Sequence, residues 1–210
     1  MSIIVEKFPL GMVRTNCYLV YNVDTKEAII VDPADNGAYI KSIIEEKDLN
    51  LQAILLTHGH FDHIMAVAYL KENYQIPVMA HEQEKEILED PAKNLSDSMG
   101  GNFCIVKADR FLKDGEILEL LGTKIKTLYT PGHTIGGVCY LFEKEKLLLS
   151  GDTLFNGSVG RSDFPTGSTS TLVRSIKDKL FVLEDDVIVY PGHEDETSIG
   201  RERKFNPYIG

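Results

Sequence analysis

No apolar stretch in the chain approaches the roughly 18 residues that a membrane span needs. The longest, such as Ala53-Ile54-Leu55-Leu56 and Leu147-Leu148-Leu149, stop after a few residues. The N-terminal stretch has no charged start, apolar core and small-residue cleavage site, so no secretory signal is read there and no membrane partner is expected. Basic residues are outnumbered. Lys and Arg total 22 against 32 Asp and Glu, a formal net charge of −10. A basic face for phosphate backbones is excluded on that balance, and nucleic acid with it. Cysteine is limited to Cys17, Cys104 and Cys139, an odd count with no C-x-x-C pair. Buried, reduced thiols in a cytoplasmic protein are the expectation. No Pro/Ser-rich linker, low-complexity tract or charge block divides the chain, so residues 1–210 are read as one domain. Apolar residues make up 43% of the chain, enough to offset the ordering entropy and exclude wholesale disorder.

What is present is a succession of short strand-like runs and helical patterns. Strands are expected at Ile3–Lys7, Asn16–Tyr21, Ala28–Asp32, Ala53–Thr57, Pro77–Ala80, Ile117–Leu120, Ile125–Tyr129, Val138–Phe142, Leu147–Ser150 and Val187–Tyr190. They are rich in Val, Ile, Leu and Tyr and bounded by Gly, Pro, Asp and Asn. Helices are expected at Gly37–Lys47, His63–Asn73, Glu82–Glu89, Ser168–Leu180 and Thr197–Lys204. In the first, Tyr39, Ile40, Ile43 and Ile44 follow helical spacing.

Four times an apolar strand runs into a short turn that carries His or Asp. The turns contain His58, His133, Asp152 and His193, and Pro-Gly-His occurs in two of them. Strand ends are rigid platforms that aim loop residues at one sheet edge. The densest turn is Thr57-His58-Gly59-His60-Phe61-Asp62-His63. Five of the six histidines (His58, His60, His63, His133 and His193) fall in these turns. Imidazole and carboxylate suit zinc and related divalent ions. Gly59 allows a tight turn that points His58 and His60 the same way. Asp62 and His63, at the start of the next helix, face a second ion, and Asp152 is the natural carboxylate between two cations. His81 is left outside the set, as the start of a helix. Five His and two Asp suffice for two metals that share a carboxylate and leave a position open. Asp32 is the candidate acceptor behind a ligating His; the other reading makes it the cap of the helix after Pro33. His and Asp donors accept zinc, the first expectation, and also iron or manganese.

The stretch from Thr57 to His63 resembles the H-x-H-x-D-H signature of the metallo-β-lactamase superfamily. His133, Asp152 and His193 follow in that family's order. The resemblance implies an α/β fold, a four-layer αβ/βα sandwich of two mixed sheets flanked by helices, with two divalent metals at one edge. It implies that His58, His60 and His133 hold one ion, that Asp62, His63 and His193 hold the other, and that Asp152 bridges them. Gly151-Asp152-Thr153-Leu154-Phe155, Gly160-Arg161-Ser162-Asp163-Phe164-Pro165 and the segment from Pro191 to Thr197 are similar to the glyoxalase II branch, closest to its short bacterial members. The implied reaction is hydrolysis of S-(2-hydroxyacyl)glutathione or a related thiol ester by a hydroxide held between two ions, with Asp62 orienting it or taking its proton. The implied partner is a small-molecule acyl thiol. Asp163 and Asp195 depart from the branch, standing where tyrosines are found, and Arg161 stands for a lysine. Arg161 is expected to pair a substrate carboxylate, or else Asp163. Backbone donors near Gly136-Gly137 are candidates for oxyanion support. The Gly-Arg-Ser-Asp-Phe stretch also resembles persulfide dioxygenases, which use a single iron, and a lactonase of the same superfamily is a further alternative. All seven ligand positions are filled, which argues against a degenerate binding protein.

Overall fold

The computed structural model describes residues 2–99 and 103–209. In the first sheet β1 (Ile3–Leu10), β2 (Thr15–Asn22), β3 (Glu27–Val31), β4 (Asn50–Leu55), β5 (Val78–His81) and β6 (Arg110–Leu112) lie side by side in chain order. The pairs β1–β2 and β2–β3 are antiparallel, and the rest are parallel. Parallel neighbours need crossovers. These contain α1 (Gly37–Glu46), then α2 (Phe61–Ile64) with α3 (Val67–Tyr74), then α4 (Lys85–Glu89).

The second sheet is built from β7 (Ile117–Leu120), β8 (Thr123–Tyr129), β9 (Val138–Phe142) and β10 (Leu147–Gly151). A separate hairpin, β11 (Leu154–Phe155) and β12 (Ser158–Val159), precedes α5 (Thr169–Ser175). The chain returns to the sheet as β13 (Ile188–Pro191) and β14 (Thr197–Ser198) and continues into α6 (Ile199–Phe205). The strand order is β14-β13-β10-β9-β8-β7, with β10 and β13 the parallel pair.

Period-two alternation of apolar side chains makes the layers. Along β2, Cys17 and Leu19 pack with Ile40, Ile44 and Leu70 of α1 and α3, whereas Tyr18 and Val20 face the other sheet. Along β10, Leu147 and Leu149 meet that inter-sheet core, and Leu148 packs with Leu172 of α5 and Ile199 of α6. Strands buried on both faces explain the continuous apolar runs. Each fully buried Leu or Ile adds about 1.5–3 kcal/mol. Helix, sheet, sheet and helix therefore stack as the expected four layers. No described helix is long and apolar enough to cross a membrane. The three cysteines are free, with Cys17 and Cys139 buried and Cys104 half-buried.

Several local expectations are corrected. The helix expected over His63–Asn73 is two helices, because Ala66 N donates to Pro33 O at 2.9 Å and breaks the ladder. The helix expected to Leu180 ends as a π turn over Ile176–Leu180. Thr197 and Ser198, read as helical, pair with β13, and the Ser198 hydroxyl caps α6. β6, β11 and β12 have two or three residues each, too short to show a period. Tyr39 is 43% exposed, so the buried stripe of α1 is Ile40, Ile43 and Ile44.

Candidate metal centre

The turns after β3, β4, β8, β10 and β13 meet at one edge of the sandwich. Backbone bonds stitch them: Val138 N to Thr57 O at 2.9 Å, Gly192 N to Gly151 O at 2.8 Å and Asn16 N to Gly192 O at 2.7 Å. On this frame His60 Nδ1 lies 2.9 Å from His133 Nε2, which lies 3.2 Å from His58 Nε2. Asp62 Oδ2 lies 3.4 Å from both His63 Nε2 and His193 Nε2. These are two groups of three ligand atoms. Asp152 stands between them. Its Oδ1 is 3.4 Å from His63 Nε2, and its Oδ2 is 3.5 Å from His133 Nε2 and from His193 Nε2.

Hydrogen bonds on the outer side decide which ring nitrogens face inward with lone pairs. His133 Nδ1 contacts the carbonyl of Arg161 at 2.6 Å, and a carbonyl only accepts, so the proton is on Nδ1. His63 Nδ1 donates to Asp32 Oδ2 at 2.9 Å. His58 Nδ1 donates to Thr57 Oγ1 at 3.1 Å, and that hydroxyl donates to Asp32 Oδ2 at 2.6 Å. The Nε2 atoms of His58 and His133 therefore face each other unprotonated at 3.2 Å, which is repulsive unless an electrophile lies between them. His63 Nε2 and Asp152 Oδ1 are buried without a hydrogen-bond partner. Buried polar atoms are rarely left so. The donor set of five imidazoles and two carboxylates fits a pair of divalent ions such as zinc, iron or manganese.

Electrostatics keep His58 and His60 in the neutral form that binds a metal and hold His63 as a cation, whose proton an ion would displace. Burial pushes His58 well below the usual histidine range and His60 down to about 3, helped by neighbouring rings. Burial works against His63 as a cation, but Asp62, Asp152 and Asp32 raise it well above that range. Burial likewise opposes ionisation of Asp62, yet His63 and His193 hold its carboxyl down to about 2. Burial pushes the Cys139 thiol up to about 11, which removes it as a nucleophile.

Asp32, His58 and His63 form a third close group of possible ligand atoms, but the Asp32 oxygens are already occupied by donors. Its Oδ1 accepts from Thr57 N at 2.8 Å, and its Oδ2 is taken by Thr57 and His63. It does not cap α1; Asn36 does. His81 ends β5, where its Nδ1 accepts from Gln83 N and its ring stacks on Tyr129. Arg161 binds both oxygens of Asp163, at 2.9 and 2.8 Å, with its guanidinium 4.1 Å from the centre of the Phe164 ring. Gly136 N donates to Glu84 Oε2 at 2.7 Å, so it is not the oxyanion donor expected.

Sequence reasoning passed over two residues. Thr15 Oγ1 donates to Asp62 Oδ2 at 2.5 Å and aims that carboxylate. Glu84, within the helix expected over Glu82–Glu89, is fully buried behind the His58–His60 turn. Nothing in Glu82-Gln83-Glu84-Lys85-Glu86 marks the middle acid as internal. A cavity of about 370 Å³ opens over the ligands, with Val13, Phe61, Leu95, Met99, Phe155 and Phe164 as apolar walls and Arg161 in its lining. A cavity of about 430 Å³ elsewhere, beside Glu27, Gln52 and Gly122, is lined by no histidine.

The family model for the metallo-beta-lactamase superfamily matches residues 10–193, which hold every residue of both ligand groups. The chain belongs to the metallo-β-lactamase superfamily. Within it, the chain is 37% identical to hydroxyacylglutathione hydrolase GloC of Haemophilus influenzae, over 98% of this chain and 97% of that one. Among solved structures it is similar to the BLEG-1 B3 metallo-beta-lactamase, with a TM-score of 0.93 and 39% identity over 98% and 99% of the two chains. It is also similar to TTHA1623, solved in a di-iron-bound form, with a TM-score of 0.85 and 34% identity over 97% and 99%. Membership accounts for the four layers, and the clustered His and Asp side chains are compatible with the dinuclear metal site of a metallo-hydrolase.

Proposed function

We propose that the protein hydrolyses thioesters, S-(2-hydroxyacyl)glutathione or a related acyl thiol, at two divalent ions. His58, His60 and His133 would hold one, Asp62, His63 and His193 the other, and Asp152 both. The observation that carries this reading is the pair of three-atom ligand groups with Asp152 between them. The likeness to GloC supports the choice of ester. Such a metal pair acidifies water and polarises the acyl carbonyl.

The chain supplies the rest. Asp62 stays a carboxylate, aimed by Thr15, and orients the attacking water or takes its proton. Phe61 and Leu95, with the half-exposed Val13 and Met99, give the acyl group an apolar wall. Arg161 binds a substrate carboxylate by exchanging it for Asp163, which its exposed position permits. The leaving thiol needs no acid, since its pKa is only about 8.5. The free thiols fit a reducing compartment, and we place the protein in the cytoplasm.

The test is thiol release from S-lactoylglutathione by protein loaded with two zinc equivalents. A kcat/KM on the order of 10⁴ M⁻¹s⁻¹ or more is expected. No release from protein verified to hold both ions overturns the glutathione thioester as substrate. Oxygen uptake with glutathione persulfide by iron-loaded protein would then favour the dioxygenase, and cleavage of a lactone or β-lactam ring the other hydrolases.

A further inference from the structure

Among the described residues, Glu84 is the one fully buried carboxylate that joins the two loops bearing the His58, His60 and His133 group. Its Oε1 accepts from Gly59 N at 2.8 Å, the peptide between His58 and His60. Its Oε2 accepts from Thr134 Oγ1 at 3.0 Å, beside His133, and from Gly136 N at 2.7 Å. The approach leaves no room for a side chain at position 136, where a Cβ would lie 2.3 Å from Glu84 N. No cation is among these partners, and a carboxylate buried without one is costly. Asp32 holds the opposite side of the centre through Thr57 and His63.

We infer that Glu84 is a positioning residue for the His58, His60 and His133 metal group. It sets the peptide plane between the first two ligands and fixes their turn against the loop of the third. Both edges of its carboxyl face donors, so a side chain with two accepting oxygens is what the position requires. An amide has one accepting edge and one donating edge, and sets N–H against N–H on one loop whichever way it is turned. The inference rests on reading the three histidines as metal ligands, and not on the choice of substrate.

The experiment is titration of metal-free protein with zinc against a chromogenic chelator, together with thermal melting. In Glu84→Gln one zinc dissociation constant rises about 10–100-fold and the other is unchanged. Glu202→Gln is the control. Glu202 is equally buried and holds Thr197, Gly157, Asn206 and Arg201 around α6; it adjoins the His193 loop through Thr197 but touches neither the His58–His60 turn nor the His133 loop. Glu202→Gln lowers the melting temperature and leaves the constant of the His58, His60 and His133 site unmoved. Thr134→Val removes one of the three donors and weakens the same zinc site less. Wild-type zinc constants in Glu84→Gln overturn the inference, as does equal weakening in Glu202→Gln. Should Glu84→Gln fail to fold, wild-type constants in Thr134→Val overturn it. Wild-type protein that binds zinc but releases no thiol refutes the glutathione thioester as substrate alone. Wild-type protein that binds no zinc refutes both.

Discussion

Replacing Asp32 by Asn tests whether the hydrogen-bonded carboxylate behind His63 sets the metal affinity. Asn keeps the shape and tolerates the left-handed φ of 49° found there, so the backbone need not move. The donors around it are the difficulty. Oδ1 takes Thr57 N at 2.8 Å, and Oδ2 takes Thr57 Oγ1 at 2.6 Å and His63 Nδ1 at 2.9 Å. An amide whose carbonyl stays on Thr57 N turns its NH₂ towards His63. The ring proton then shifts to Nε2, the nitrogen that faces Asp62 and Asp152. Lost outer partners of a ligating His cost about 10–100-fold in metal affinity. That corresponds to about 1.4–2.8 kcal/mol, and near saturation the metal-loaded protein loses the same amount of folding stability. The metal-free protein loses the charge-assisted bonds too, about 1.5–3 kcal/mol each. At this chain length each kcal/mol shifts the melting temperature by about 2–4 °C. Zinc titration and paired melts of loaded and metal-free protein read both effects. Unchanged zinc constants, together with an unchanged gap between loaded and metal-free melting temperatures, would refute the reasoning.

Four further outcomes follow from the same geometry. His60→Ala abolishes thiol release and removes one metal per chain, while far-ultraviolet circular dichroism stays that of the folded protein. Gly192→Ala places a Cβ 2.1 Å from Asp152 Oδ1 and 2.8 Å from His63 Cε1; metal analysis should show lost occupancy, and a full complement contradicts the packing argument. Stripping the metal with chelator lowers the melting temperature reversibly, since a site held at 1,000 times its Kd adds about 4.1 kcal/mol, and readdition restores it. Arg161→Ala leaves the melting temperature unchanged, because its pair with Asp163 is exposed. It raises KM for an anionic acyl thiol with kcat retained, and an unchanged KM would mean that the guanidinium serves Asp163 alone.

Much of the architecture is written in local pattern. Strands such as Val138–Phe142 and Ile117–Leu120 are found with the bounds their residues suggest. β6 and the β11–β12 hairpin could not be read, since two or three residues carry no period and exist only through their partners. The break between α2 and α3 was equally hidden, because Pro33 O, which takes Ala66 N, belongs to another part of the chain. The ligand residues announced themselves through chemistry, as imidazoles crowded into strand-end turns with glycines that permit close approach. Of their outer partners, Asp32 was legible at its strand end, whereas Thr15 and Glu84 were not.

The sequence by itself determined which residue types stand at the strand ends and which apolar runs can be buried on both faces. Those properties depend on neighbours within a few positions, through side-chain periodicity and turn chemistry. Only the tertiary structure decided which nitrogen of His133 faces inward, since its proton is directed by the Arg161 carbonyl, 28 residues away. It decided that Arg161 is engaged by Asp163 across the Phe164 ring. It also decided that Glu84, one acid among several, is buried against Gly136, 52 positions on. Burial of a charge depends on what the fold brings around it, and local sequence does not contain those partners.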